Sequence, residues 1–143
     1  MSDASYSKPT PSITEESKPY WDGLRENRLV LQRCADCNKI RHYPRPMCDR
    51  CYSMRVEWIE ASGTGKIHSW TTAHQAFHPG FKQDIPYTLA TVDLPEGVRI
   101  QARIRSISPE QLRCGMPVRI GFEQVSDDLS LLVVLPSDQF LNR

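Results

Sequence analysis

The sequence predicts a mainly β protein in three parts: a short N-terminal helix, a small cysteine-rich module and a C-terminal barrel of five strands. Three observations support this fold class. Four of the five cysteines fall within residues 34–51. Alternating apolar and polar residues, as in VRIQARIR at 98–105, recur through the second half of the chain, which is typical of half-buried strands. The length of 143 residues suits one compact domain with a small appended module.

Residues 1–28 are expected to form a flexible lead followed by a helix. The first twelve residues are rich in Ser, Pro and Thr and have little apolar content to order them. Over residues 17–27, Tyr20, Trp21 and Leu24 fall on one side of a helix at spacings of three and four. Because these aromatic side chains need a surface to pack against, Tyr20 and Trp21 are candidates for docking a partner.

Residues 29–60 carry the pattern C-x2-C-x10-C-x2-C, formed by Cys34, Cys37, Cys48 and Cys51. Each C-x2-C turn can direct two thiolates at one ion, and two such turns complete the tetrahedral shell that Zn2+ accepts. The pattern therefore predicts a zinc ribbon with one structural Zn2+ per chain. A rubredoxin-like iron site and a thiol redox role are the alternatives. A closed four-sulfur shell leaves no open coordination position, so the ion is expected to stabilise folding and not to catalyse a reaction.

Residues 61–143 are expected to form the barrel. Five short strands with a small helix between the third and the fourth are the requirements of an OB-fold, and a generic five-stranded barrel or sandwich is the alternative. The small helix is predicted at residues 108–112, where Ser-Pro provides a cap and a first-turn proline. The strands are predicted at 66–72, 87–94, 98–105, 118–123 and 129–135.

The positive charge is concentrated on the cysteine module. Residues 28–55 hold seven Lys or Arg against two Asp, whereas acidic residues outnumber basic ones on both sides of this segment, and the whole chain is close to neutral at +1. Such a patch suits a compact polyanion. The rest of the chain offers no continuous basic track for a long nucleic acid.

No catalytic set is evident outside this module. Cys114 is the one cysteine outside the ribbon pattern, and it is expected to be a small, partly buried side chain. His74 and His78 form H-x3-H, but Pro79 follows directly and no acid stands close in sequence, which favours two solvated histidines in a loop. The chain is therefore not expected to be active alone.

A long connection at residues 73–86 contains Phe77 and Phe81 in a polar, proline-bounded context. Two aromatic residues in such a loop indicate either a lid over the barrel or an anchor in a partner protein, and the anchor is preferred. Together with the helix this gives two candidate docking surfaces.

Several runs in this order resemble the zinc-ribbon/OB-fold family that accompanies thiolases and other acyl-CoA enzymes. They are LQRCADC at 31–37, YPRPMCDRC at 43–51, EW at 57–58, SGTGKI at 62–67 and GMPV at 115–118. The resemblance implies a non-catalytic accessory subunit of a thiolase-type acyltransferase or aldolase complex. In such a hetero-oligomer the barrel docks a thiolase-like catalytic subunit and the ribbon lies near the CoA thioester.

Given that resemblance, the basic patch suggests contacts to CoA. Its pyrophosphate and ribose phosphate form a dense anion that a few Arg or Lys side chains can hold through charge-assisted hydrogen bonds. Lys39, Arg41 and Arg45, in or beside the loop between the two cysteine turns, are the candidate contacts.

The alternative function is a zinc-ribbon/OB single-stranded nucleic-acid-binding module. Arg99, Arg103 and Arg105 alternate on one predicted strand and, with Trp70 or Tyr87 nearby, could form a stacking groove. The near-neutral net charge counts against this alternative, so nucleic acid is not the expected partner.

The composition also favours a cytoplasmic protein. No apolar run approaches the roughly 18 to 20 residues needed to cross a bilayer, and the polar start lacks the apolar stretch of a secretion signal. In a reducing compartment, clustered cysteines are typical of metal ligands.

Overall fold

The computed structural model describes residues 6–137, and the fold class predicted from the sequence is confirmed. No helix within that range is both long and apolar enough to cross a bilayer. One α-helix, α1, spans Lys18–Arg25, and eight strands follow it along the described chain. These are β1 (Val30–Cys34), β2 (Ile40–Arg41), β3 (Val56–Glu60), β4 (Thr64–Ala73), β5 (Tyr87–Asp93), β6 (Arg99–Ile104), β7 (Pro117–Ser126) and β8 (Leu129–Pro136).

The strands form two sheets. The ribbon is a three-stranded antiparallel sheet in the order β2-β1-β3, with Gln32 of β1 opposite both Arg41 of β2 and Trp58 of β3. The remaining five strands close into a barrel in the order β4-β5-β6-β8-β7. All of the barrel's neighbouring strands are antiparallel except β6 and β8, whose short parallel pairing seals the barrel at Arg103 and Ile104.

The helix predicted between the third and fourth barrel strands is a single 3-10 turn, Pro109–Gln111. Gln111 Oε1 accepts hydrogen bonds from the backbone N–H and the hydroxyl of Ser108, at 3.0 and 3.2 Å. The turn ends at once because Leu112 has an extended backbone and a buried side chain, which returns the chain to the barrel.

Alternation along β6 places Ile100, Ala102 and Ile104 in the barrel core, as the sequence predicts. The core does not end at the barrel wall, because Leu24 of α1 and Leu31 of β1 belong to the same cluster of buried residues. One apolar core therefore joins the helix, the first ribbon strand and the barrel. The domain boundaries predicted after residues 28 and 60 stay predictions.

Gly65 allows β4 and β5 to approach closely. A Cβ atom at this position would lie 2.5 Å from Val92 Cγ1 and 2.9 Å from the carbonyl oxygen of Asp93. Both distances are shorter than real Cβ contacts, so a side chain at residue 65 would push the two strands apart.

The start of the described chain packs on the barrel. Lys8 Nζ lies 3.1 Å from Asp84 Oδ2 and 5.4 Å from the centre of the Phe81 ring. The backbone of Ser7 crosses directly over Gly80, where a Cβ atom would lie 2.6 Å from the Ser7 carbonyl oxygen. The composition of residues 1–12 predicts a flexible lead. The anchoring contacts of residues 7 and 8 are long-range ones that this composition does not reveal.

The cysteine cluster and the basic surface of the ribbon

The first cysteine turn is a tight backbone loop that follows β1. The Cys34 N–H donates to the Lys39 carbonyl oxygen at 2.8 Å, and the Asn38 N–H donates back to the Cys34 carbonyl oxygen at 2.9 Å. Asn38 has a φ of 65°, the left-handed conformation that Asn tolerates better than most residues. This geometry turns the side chains of Cys34 and Cys37 to the same side.

The second cysteine turn repeats the first. The Cys48 N–H donates to the Ser53 carbonyl oxygen at 2.9 Å, and the Tyr52 N–H donates to the Cys48 carbonyl oxygen at 3.0 Å. Tyr52, with a φ of 63°, takes the place of Asn38. The two turns therefore present two matched pairs of sulfur atoms.

All four cysteine sulfurs lie within 4.8 Å of one another. The Sγ atoms of Cys34 and Cys51 are 3.5 Å apart, and those of Cys37 and Cys48 are 3.6 Å apart. Four sulfurs in a tetrahedron around Zn2+ would be separated by roughly 3.8 Å. The four ligands predicted from the sequence come together closely enough to hold one metal ion.

Backbone N–H groups favour the thiolate form of two of the four cysteines, Cys34 and Cys48. The Cys37 N–H points at Cys34 Sγ at 3.5 Å, and the Arg50 N–H points at Cys48 Sγ at 3.4 Å. The hydrogen bond from the Cys37 backbone is the main reason that the pKa of Cys34 falls to about 6. The pKa of Cys48 is lowered likewise, first by the backbone of Cys51 and then by that of Arg50. A deprotonated sulfur is the form that coordinates zinc.

A polar brace across the two turns was not predicted from the sequence. Asp36, inside the first turn, accepts hydrogen bonds from the Ser53 hydroxyl and from Arg55 Nη2, the latter at 2.5 Å. Ser53 and then Arg55 lower the pKa of Asp36. The only sequence signal was an acid within the first C-x2-C and a base after the second.

The three candidate CoA contacts have different surroundings. Lys39 Nζ is held by Asp49 at 2.7 and 2.8 Å, and Arg45 Nη1 lies 4.0 Å from the same carboxylate. Arg41 is buried, with an exposed fraction of 5%. Its Nε donates to Gln32 Oε1 at 2.7 Å, and its Nη2 donates to the carbonyl oxygen of Arg45 at 3.2 Å.

Gln32 organises the loop that carries this basic surface. Its Oε1 accepts from the Arg45 backbone N–H at 2.8 Å as well as from Arg41. The sequence signal for this buried polar contact is a glutamine that directly follows Val30 and Leu31 in β1, and no contact of Gln32 was predicted from it. Arg41 and Gln32 together fix the position of Arg45 at the surface.

The four candidate docking residues are not equally accessible. Tyr20 is buried in the core, and Phe81 stacks on Tyr87 with ring centres 5.4 Å apart. Phe77 is 87% exposed, the most exposed of the large apolar side chains in residues 6–137. Trp21 is half-buried. Docking stays a prediction for all four, but in this structure Tyr20 and Phe81 already pack within the chain.

Trp21 belongs to an aromatic cluster that joins α1 to the ribbon. Its Nε1 donates to the Tyr43 hydroxyl at 2.9 Å, and the rings of Tyr20 and Tyr43 meet edge to face at 5.4 Å. His42 lies 5.4 Å from the Tyr20 ring, and burial lowers the pKa of His42 to about 4. The aromatic face of α1 thus has a partner within the chain.

The remaining candidates have partners within the chain or lie apart from the cysteine cluster. His78 Nδ1 accepts the Gly80 N–H at 3.0 Å and caps a 3-10 turn, and Cys114 is exposed, contrary to the expectation of partial burial. In the part of the chain that the structure describes, the four ribbon cysteines are the one group placed to share a metal ion.

Each arginine of the predicted stacking groove pairs with a carboxylate: Arg99 with Asp93 at 2.6 Å, Arg103 with Asp84 at 2.8 Å, and Arg105 with Glu123 at 2.8 Å.

A four-cysteine zinc ribbon joined to an OB-fold barrel defines a class of two-lobed proteins. Residues 21–57 match the family model described as the ChsH2 rubredoxin-like zinc ribbon domain, and residues 58–123 match the ChsH2 C-terminal OB-fold domain. In the solved structure titled "Ltp2-ChsH2(DUF35) aldolase", one chain is 36% identical, with a TM-score of 0.79 over 89% of this chain and 98% of that one. The chain therefore belongs to the DUF35 (ChsH2) zinc-ribbon/OB-fold family.

Curated relatives agree with this assignment. A "DUF35 domain-containing scaffold protein" of Pyrococcus furiosus is 35% identical over 76% of this chain and 79% of its own length. A "probable enoyl-CoA hydratase alpha subunit" of Thermomonospora curvata is 36% identical over 91% of this chain. The chain spans 40% of that relative's length.

Proposed function

We propose that this protein is a non-catalytic accessory subunit of an acyl-CoA enzyme complex. In this role it docks a thiolase-like catalytic subunit and helps to organise the CoA thioester site. The observation that carries the proposal is a metal-type cluster with four sulfur ligands beside a barrel whose candidate groove arginines are all paired with carboxylates. Such an arrangement suits a scaffold, and the names of its relatives point to acyl-CoA enzymes.

Cys34, Cys37, Cys48 and Cys51 would hold one Zn2+ ion. When bound, a Zn2+ ion with four thiolate ligands supplies folding free energy and no open coordination position for a substrate. The backbone N–H groups that face the sulfurs stabilise the thiolates. The ribbon would therefore act as a rigid platform for its basic side chains.

Lys39 and Arg45 are the surface cations that would contact the phosphates of CoA. Asp49 holds both side chains near one another without burying them. Arg41 would act as a positioning residue, because its buried guanidinium supports the backbone carbonyl of Arg45. This division of roles refines the set of three contacts expected from the sequence.

Phe77 is the strongest candidate for an anchor in the catalytic subunit. A side chain 87% exposed on the connection between β4 and β5 exposes apolar area that burial in a partner would stabilise by about 1.5–3 kcal/mol. Trp21, another predicted docking residue, is half-buried and so exposes a smaller fraction of its side chain than Phe77 does. Tyr20 and Phe81 would contribute by holding these elements in place.

The test is to purify the tagged chain with its catalytic subunit from the native host and to measure turnover of CoA thioesters. The complex should be active and the chain alone inactive. Phe77→Ala should weaken assembly at least tenfold, whereas the exposed neighbour His74→Ala should leave it unchanged. Turnover by the isolated chain, or purification with no acyl-CoA enzyme, would contradict the proposal.

A further inference from the structure

A second basic element faces the ribbon from the barrel. A cavity of about 620 Å3 lies between the two lobes. The ribbon lines it with Lys39, Arg41 and Arg45, and the hairpin between β5 and β6 lines it with Arg99. The pattern of β6 alone had suggested a different, nucleic-acid groove for Arg99, because local sequence does not show which ribbon residues lie near it.

The charges around this cavity do not balance. Four basic side chains line it, and Asp49 and Asp93 are the acidic residues among the lining residues, which leaves two positive charges. His42 also lines the cavity, but burial lowers its pKa to about 4, so it is neutral at pH 7. A compact dianion would restore neutrality.

One of these cations has an unused donor. The exposed fraction of Arg41 is 5%, and its Nη1 atom has no hydrogen-bond partner in the structure. A buried guanidinium nitrogen without an acceptor leaves the charge of Arg41 incompletely compensated, so this side chain adds to the positive potential of the cavity. Nε and Nη2 of the same side chain are already satisfied by Gln32 and by the Arg45 carbonyl oxygen.

The two carboxylates hold the surface cations in place. Asp49 keeps Lys39 within 2.7 Å, and Asp93 keeps Arg99 within 2.6 Å. Each of these acids contacts one edge of a flexible cation and leaves its other donors available. The positions of the cations are thus fixed before a ligand arrives, which lowers the entropic cost of binding.

We propose that this cavity is a phosphate-binding site shared by the two lobes, with Arg99 of the barrel as a ligand that completes the ribbon's basic set. The group bound is a phosphomonoester dianion or a pyrophosphate carried by a small molecule. The inference rests on the proposed function only for the source of the phosphate, which would then be the nucleotide end of CoA. The cavity and its charges belong to the isolated chain.

The test uses the full-length, zinc-loaded chain without a catalytic subunit. Calorimetric titration with adenosine 3′,5′-bisphosphate and with inorganic pyrophosphate should show saturable binding that weakens with salt, while adenosine should not bind. Arg99→Gln should weaken phosphate binding at least tenfold.

The matched control is Arg119→Gln, which removes the same charge from an exposed position on β7 outside the cavity. It should leave binding within twofold of the wild type. An equal loss in Arg99→Gln and Arg119→Gln, or no binding of either phosphate ligand, would overturn the proposal. Binding of pyrophosphate alone supports the phosphate site and separates it from the nucleotide.

A single-stranded oligonucleotide provides the last comparison. Tighter binding of a 12-mer than of either small ligand, with the same dependence on Arg99, would overturn the assignment to a small molecule. Failure of the chain to assemble with an acyl-CoA enzyme would contradict the proposed function and leave these titrations unaffected. The two proposals can therefore fail separately.

Discussion

Strand β5 of the barrel alternates strictly between half-buried and buried residues, and Val92 has no exposed surface. Across residues 35–55 of the ribbon, by contrast, only Arg41, Pro44 and Cys48 are buried. A fully buried Ile or Val side chain contributes about 1.5–3 kcal/mol to the stability of the fold. Residues 35–55 contain no buried Ile or Val. The same chain thus uses apolar burial in one lobe and convergent sulfur atoms in the other.

The largest expected effect is loss of the metal site. Chelation of the metal or Cys48→Ser should remove folding free energy on the order of 10 kcal/mol from the ribbon, because residues 35–55 have no apolar core to replace it. In 15N-correlated NMR spectra, residues 35–55 should lose their dispersed signals while the barrel strands keep theirs.

Cys114→Ser is the matched control for this experiment. Cys114 is exposed and lies outside the cluster, so its replacement should change neither the zinc content nor the spectrum. Retention of an ordered ribbon without metal would refute the contrast between the lobes, as would collapse of the barrel together with the ribbon.

The second effect concerns the barrel. Ile100→Ala should lower the free energy of unfolding by about 2–5 kcal/mol, because it leaves a cavity in a position that is 1% exposed. Zinc content should not change. Ile13→Ala, at a position 48% exposed, is the control and should change stability by less than about 0.5 kcal/mol in urea denaturation. Similar losses from both substitutions would show that the barrel core is not the stabilising element.

The part of the fold that follows from local chemistry could be predicted from the sequence. The C-x2-C spacing is enough to bring Cys34 and Cys37 to one ion, and the alternation in VRIQARIR identifies the buried face of β6. Both signals depend on residues two to three positions apart, so no knowledge of the distant chain is needed.

Contacts between distant segments could not be predicted in this way. The residues next to Arg41 in the sequence do not indicate that its side chain is buried and pairs with Gln32. Periodicity places Tyr20 on an apolar helix face, but it does not tell whether that face meets a partner or the chain's own core. The same limitation explains why Arg99 was grouped with its strand neighbours instead of with the ribbon.

The third effect is a dependence of the unfolding free energy on pH through His42. Burial lowers the pKa of His42 to about 4, so the folded state holds it neutral while the unfolded chain binds a proton at about pH 6.5. Its contribution to stability is therefore full above pH 6.5, is lost as the pH falls from 6.5 to 4, and changes no further below that. The loss should be about 3 kcal/mol.

His42→Gln removes this titration, so its unfolding free energy should fall less than that of the wild type between pH 7 and pH 4. Zinc release, followed in the same samples with a metal indicator, separates protonation of the thiolates from that of His42. Parallel profiles for His42→Gln and the wild type would contradict the role of burial.

The smallest effect tests whether α1 stabilises the ribbon as well as the barrel. Trp21 Nε1 donates to the Tyr43 hydroxyl at 2.9 Å, which links the helix to the loop between the cysteine turns. Trp21→Phe and Tyr43→Phe each remove this bond and should each cost about 1 kcal/mol. Because they remove the same interaction, the double variant should cost less than the sum of the two.

Tyr52→Phe, at a ribbon position 70% exposed, should have no effect. Additive losses in urea denaturation would mean that the helix and the ribbon are not coupled through this contact, and that the helix stabilises the barrel alone.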